Sequence, residues 1–375
     1  SMGVSFATSF RMNHPNMLFF LPVSGILIVW LYHTFHEEGN RGTNMVIDAI
    51  SSTEKVTLAT GPLIFVSTVL THIAGGSSGR EGAALQLGGS LGNLFGNAIH
   101  LDEKDKKIAI MCGMSAVFSA LFGTPVAAAI FPLEVISIGV LYYAALVPCI
   151  FSSFIGVGIA RYLGIAGEHF TVLSIPAISV SSVGWIIFLS ALCAGVSIVF
   201  CLMLHGAEHT YRKIFPNPYV RILAASAIFI LLTLLIGTRD YCGSSMPLIE
   251  RSMEGEIGYE AFFLKMLFTA IALGAGFKGG EIVPTLCVGA AFGCASYNEF
   301  YAVSNAPDAD IFRCLETGKN YIPGENELFG YEGMEYFSIA IAVAFALSGY
   351  YGLYASQKFV YSKTKTEFIN RKSNK

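Results

Sequence analysis

Two glycine-rich blocks, one in each half of the chain, constrain this sequence more than any other feature. Residues 75–93 read GGSSGREGAALQLGGSLGN and residues 274–293 read GAGFKGGEIVPTLCVGAAFG. A shift of 200 carries Gly76, Gly79, Glu81 and Gly89 onto Gly276, Gly279, Glu281 and Gly289. A shift of 201 carries Gly42, Met45 and Ser51 onto Gly243, Met246 and Ser252, which makes GTNMVIDAIS and GSSMPLIERS counterparts. The chain has 39 glycines, so a few matches would arise by chance, but two blocks at nearly one offset make chance the weaker reading. An internal repeat in apolar sequence predicts two halves of inverted topology with a site at their interface near the bilayer midplane.

Composition places the repeat in a membrane. Of 375 residues, 54% are hydrophobic and 13% charged, where a soluble domain carries about a quarter charged. The mean hydropathy is +0.60. A net charge of −3 without a basic patch argues against a nucleic-acid partner. The eight cysteines show no C-x-x-C spacing, so neither a disulfide framework nor a zinc site is indicated, and no cofactor is expected. No cleavable signal peptide is visible, and Ser1-Met2 reads as a tag remnant set aside from the fold. Long stretches with few charges predict helices over 17–35, 56–74, 82–99, 108–133, 135–162, 181–207, 218–237, 259–277, 284–298 and 336–356. Several are too short or too glycine-rich to span alone, as in the broken helices of transporters. The expected organisation is a first repeat over 1–163, a linker over 164–180 with breakers Gly164, Gly167 and Pro176, and a second repeat over 181–363. A basic tail over 364–375 follows, which the positive-inside rule places in the cytoplasm.

Within membrane-grade sequence Arg80 and Glu81 are costly and read as functional; the plain alternative is an ion pair joining two helices. Gly75, Gly76, Gly79 and Gly82 stop the preceding helix and let backbone approach a ligand. A helix begins after Gly82, so Glu81 sits where free N–H groups and the positive dipole end favour an anion or a carboxylate imitating one.

Gly79-Arg80-Glu81-Gly82-Ala83 resembles the G-[KR]-E-G-P signature of the CLC family of chloride channels and anion/proton antiporters, with Ala83 at the usual proline. The resemblance implies an all-α polytopic membrane protein whose broken helices meet at a midplane anion site, with Glu81 as gate and proton carrier. The G-S-G-I-P signature is matched by Gly42-Thr43-Asn44-Met45-Val46, read with Met45 in place of the serine, a mark of the family's fluoride/proton branch. An isolated methionine also often just fills a core gap. The G-x-F-x-P signature is matched by Gly280-Glu281-Ile282-Val283-Pro284, and a glutamate there again resembles the fluoride branch, where it is tied to proton coupling. Glu281 is read as facing Glu81 from the other half, where two close carboxylates would titrate as a pair; the alternative is a salt bridge with Lys278.

Chloride antiporters of the family carry two consecutive glutamates where this chain reads Leu133-Glu134-Val135, so the chloride-type internal proton acceptor is missing and Glu134 is read as structural. The family's inner tyrosine is matched by Tyr361, with Tyr350, Tyr351 and Tyr354 as rivals. The resemblance thus implies an anion path lined by Asn44, Met45, Gly82, Ala83, Ile282, Val283 and Tyr361. It implies fluoride export in exchange for protons, a homodimer, and the plasma (inner) membrane of a prokaryote. Alternatives are a chloride channel or chloride/proton antiporter of the same fold, or an unrelated or inactive transporter. Two departures stand out. The chain barely begins before the helix at 17–35, where the family has another, and 295–335 is polar where the repeat calls for apolar sequence.

Overall fold

The computed structural model describes residues 2–52, 56–165, 167, 178–304, 333–363, 365 and 367–373. The first half runs α1 (Met2–Asn13), a 3-10 turn (Pro15–Phe20), α2 (Leu21–Thr34), α3 (Thr43–Ser51), α4 (Thr60–Ile73), α5 (Glu81–Ala98), α6 (Glu103–Phe122), α7 (Pro125–Val135), strand β1 (Ser137–Ile138) and α8 (Tyr143–Tyr162). The second half runs α9 (Val180–Ile214), α10 (Pro218–Ile236), α11 (Met246–Glu254), α12 (Ala261–Ala275), α13 (Ile282–Ser304), α14 (Met334–Leu347), β2 (Lys358–Tyr361) and β3 (Phe368–Lys372). Among the described residues Pro15–Thr34, α8, α9 and α10 are long and apolar enough to cross a bilayer. They leave apolar side chains such as Phe151 and Leu235 uncovered, as lipid-facing surfaces do.

Local chemistry sets the element ends. Asp102 caps α6 by accepting the N–H groups of Lys104 at 2.9 Å and Asp105 at 2.8 Å, and Gly123 ends that helix in the left-handed region at φ +79°. Pro125 then opens α7, so the single helix expected over 108–133 is two. Asn217 and Pro218 start α10 in the same manner, the Asn217 side chain accepting the Tyr219 N–H at 2.9 Å. Between α5 and α6 the spacing is set by glycine. A Cβ on Gly88 or Gly92 would overlap the carbonyls of Gly113 or Ala109, so the two backbones are in direct contact, as small residues permit in membranes.

The repeat has a single backbone register, and it is 201. Gly42 and Gly243 share φ of +66° and +67°, and Gly75 and Gly276 are both left-handed, at +88° and +113°. The His-Pro-Asn after α1 at 14–16 corresponds to Phe-Pro-Asn at 215–217, so α1 matches the last third of α9, which ends at Ile214. Buried Leu21 and Ile28 of α2 correspond to buried Ile222 and Phe229 of α10. The offset of 200 expected for the signature blocks is therefore corrected by one residue. Shared glutamate identity drew the alignment to 200, whereas the helices begin at Glu81 and Ile282. Glu281 stands opposite Arg80 in the repeat, and Ile282 opposite Glu81.

Four further expectations change. A helix, α1, does precede the 17–35 segment. Short α3 and α11 were not expected, because each is nine residues long and interrupted by charge at Asp48, Glu250 or Arg251. The last apolar helix stops at Leu347 rather than 356. Tail residues Phe368–Lys372 pair antiparallel with β2, which pairs parallel with β1, so a small sheet joins the chain's end to α7. Most of the 164–180 linker and residues 305–332 of the polar stretch lie outside the described residues; α13 itself runs on to Ser304.

Candidate functional site

The two signature loops cross and bond to each other. Gly79 donates its N–H to the Gly280 carbonyl at 2.7 Å, and Gly280 returns the bond to Gly79 at 2.7 Å. This antiparallel bridge brings the N-termini of α5 and α13 together, and no side chain fits between them. A Cβ on Gly82 would lie 2.9 Å from Gly280 Cα and 3.0 Å from Thr43 Oγ1. These glycines are dictated by close backbone approach.

Glu81 is fully buried at this crossing. Its side chain folds back over Gly79, and Oε2 accepts the N–H of Val283 at 3.4 Å, in the first turn of α13. Arg80 Nε lies 3.9 Å from Oε1, which has no hydrogen-bond partner. The carboxylate thus starts from one repeat and lies against the helix N-terminus of the other, the place an anion would take. Gly82 and Ala83 open α5, and Ile282 and Val283 open α13; Ala83, Ile282 and Val283 are all buried.

Glu281 occupies the N-cap position of α13, its carbonyl accepting the Thr285 N–H at 3.0 Å. Its Oε2 is buried without a hydrogen-bond partner, yet the residue also lines an open cavity of about 710 Å³. Arg41, Asn44, His205, Glu208 and Arg212 share that wall. Lys278 is no ion-pair partner among the described residues; its ammonium sits 4.2 Å from the ring centroid of Tyr32.

The α3 segment overturns one expectation. The serine hydroxyl of the family signature is not lost: Thr43 stands there, its Oγ1 buried against Gly82. Met45, two residues on, is about 200° round the helix and is buried in the apolar core cluster. Both cannot face the crossing; Thr43 faces it, and Met45 packs in the core. Asn44 is engaged elsewhere: its Oδ1 accepts the Ser356 N–H at 2.9 Å, while Ser356 Oγ donates to Asp48 at 2.6 Å. These bonds hold the loop after α14 against α3.

That loop bears on the tyrosine. Tyr354 is buried, with its hydroxyl beside the Thr43 side chain. Tyr361 is corrected: it lies on β2, 45% exposed and packed edge-on against Phe368, because the chain turns outward into the sheet after Gln357. Tyr350 instead donates to Ser362 at 3.2 Å. A second cavity, of about 120 Å³, is lined by Tyr354, Ile282, Thr285, Glu134, Val135 and Lys363. Thr43 was legible from its alignment with the signature serine, but Tyr354 had no signal separating it from its neighbours.

Broken helices of two inverted repeats, meeting end to end at a buried carboxylate, define a membrane protein of the CLC type. The chain belongs to the voltage gated chloride channel family, whose model matches residues 24–312. It is similar to a "Chloride/fluoride channel protein" of Pseudomonas syringae pv. tomato, 28% identical over 96% of this chain and 83% of that one. In fold it resembles the crystal structure of a CLC-type fluoride/proton antiporter, with a TM-score of 0.87 at 28% identity, over 95% of this chain and 92% of that one. A slow cyanobacterial Cl−/H+ antiporter shares the fold at 17% identity, with a TM-score of 0.75 over 92% and 91%.

Proposed function

We propose that this protein exports fluoride in exchange for protons, with Glu81 as the gate. The observation that carries the proposal is the Glu81 carboxylate held against the N-terminus of α13 while Glu281 opens to the large vestibule. Ionised, Glu81 takes the place of an anion among free N–H groups. Once protonated it loses its charge-assisted bond, worth about 1.5–3 kcal/mol, and a transported anion competes for the vacated N–H groups. Helix N-termini and hydroxyls, rather than full positive charges, hold the anion weakly enough to release it. Glu281 exchanges protons with vestibule water, a route that needs no carboxylate at Val135.

The likeness to a fluoride/proton antiporter and to a chloride/fluoride channel protein supports fluoride as the anion. Thr43 favours a second reading, chloride transport, because two hydroxyl donors remain beside the crossing. The protein is read as a homodimer in the plasma (inner) membrane, with its C-terminus in the cytoplasm. Efflux from vesicles carrying fluoride or chloride, with internal pH recorded, decides between the readings. Fluoride is expected to leave rapidly with matching proton entry and chloride slowly; equal fluxes would assign the protein to chloride.

The tyrosine assignment carries its own expectation. Tyr354→Phe removes a donor beside the anion path and should slow anion flux about tenfold, the loss of one hydrogen bond to a charged group. Tyr361→Phe, on an exposed strand, should leave the flux unchanged.

A further inference from the structure

The 201-residue register relates cavities as well as helices. The 710 Å³ vestibule is walled by Arg212 at the end of α9, by Glu38, Arg41 and Asn44 ahead of and within α3, and by Gly274 of α12. On the other side of the crossing, a cavity of about 240 Å³ is lined by Arg11, Arg239, Asp240, Cys242, Ser244 and Gly75. Arg11 is the repeat counterpart of Arg212, and 239–244 is the counterpart of 38–43. The span Pro15–Thr34 leads from the smaller cavity to the larger, and α10 leads back. The cavities are therefore two mouths on opposite faces of the membrane.

Their charge differs in a way the repeat does not dictate. In the larger mouth each arginine has an acid: Arg41 lies 3.0 Å from Asp48 and Arg212 lies 2.9 Å from Glu208. Glu281, His205 and His209 add titratable groups to the same wall. In the smaller mouth Asp240 is taken by Arg251 at 2.9 Å, which leaves Arg11 and Arg239 without an acid among the described residues. Arg11 Nε is buried with no acceptor. Its guanidinium lies against Gly243, where a Cβ would come within 2.9 Å of Nη2. Gly243 in turn donates to the Gly75 carbonyl at 2.9 Å, so the arginine is packed onto a rigid glycine pair at the entrance to the signature loop.

We propose that this smaller mouth is an anion-binding site in which Arg11 and Arg239 hold a small inorganic anion on its way to or from Glu81. The proposal rests on the reading of the protein as an anion transporter, but its chemistry does not depend on which anion is moved. Two guanidinium groups in one concave pocket, where Asp240, the one acid among the described lining residues, is neutralised by Arg251, bind anions by charge-assisted hydrogen bonds and raise their local concentration. The division of labour follows: one mouth gathers anions, and the other, rich in carboxylates and imidazoles, handles protons.

Inorganic pyrophosphate, too bulky to pass the glycine crossing, is the probe. The purified full chain in detergent is titrated with it by calorimetry, and the same anion is added outside vesicles during anion efflux. The wild type is expected to bind, and its efflux to be inhibited in the molecules that present Arg11 outward. R11Q/R239Q is expected to bind about tenfold or more weakly and to escape inhibition, R11K/R239K to recover part of the binding, and R212Q to behave as wild type at this site. Wild-type affinity in R11Q/R239Q, or loss of all binding in R212Q, would overturn the proposal, as would a wild type that binds no pyrophosphate. Should the double variant fail to fold, R239Q alone must weaken binding, since Arg239 is exposed and its replacement spares the core. Calorimetry needs no transport, so a protein that moved chloride instead of fluoride would fail the functional reading and leave this result standing.

Discussion

Glu281→Ala is expected to cut proton flux about a hundredfold, the usual contribution of a positioned proton-transfer group, while anion movement persists. Glu281 combines two properties that no other acid among the described residues combines. It heads α13, the helix whose first turn holds the Glu81 carboxylate, and it lines the vestibule. Its removal leaves α13 intact, because at this position the Thr285 N–H donates to the Glu281 backbone carbonyl, which the substitution keeps. Glu134→Ala should do much less, since Glu134 lines the separate 120 Å³ cavity from α7 and is read as structural. Proton and anion fluxes recorded in the same vesicles check both variants. Unchanged coupling in Glu281→Ala would remove it from the proton route and leave Glu81 to reach the vestibule by water alone.

The second large effect is expected at the gate. Glu81→Gln should abolish coupled exchange, with proton flux at background, because an amide neither releases a proton nor carries the charge that α13 attracts. The substitution keeps the side-chain volume, so the packing over Gly79 is preserved and thermal stability should change by no more than about 1 kcal/mol. Anion leak without protons is the expected residue of activity, read as efflux that no longer depends on the pH gradient. Retained proton movement in this variant would place the proton carrier elsewhere.

Much of this architecture is legible in the residues, and the failures have identifiable causes. Apolar runs locate most of the long helices because bilayer-grade segments carry so few charges. The break at Gly123 and Pro125 is equally readable as punctuation, yet an unbroken apolar run over 108–133 masks it. Identity misled where backbone decides: Glu81 and Glu281 align by letter at 200, while the paired turns of Gly42 and Gly243 and the bridge at Gly79 and Gly280 require 201. Met45 drew the reading away from Thr43, although helical spacing forbids the two from sharing a face. Tyr354 depends on a loop held by Asn44 and Asp48, contacts more than 300 residues apart in sequence that no local pattern announces.

The reciprocal bridge between Gly79 and Gly280 has a mechanical meaning. Transporters that rock one half past the other need halves that can part at the substrate site. Here the halves share a rung of backbone at that point, and parting them would break two buried backbone hydrogen bonds at once. The crossing is a fixed bearing. With Glu81 read as the gate, what moves is smaller than a helix: the arm of Glu81, swinging between the head of α13 and the space beyond it. On that reading the duplicated scaffold is a stationary housing, and the working stroke is confined to one side chain.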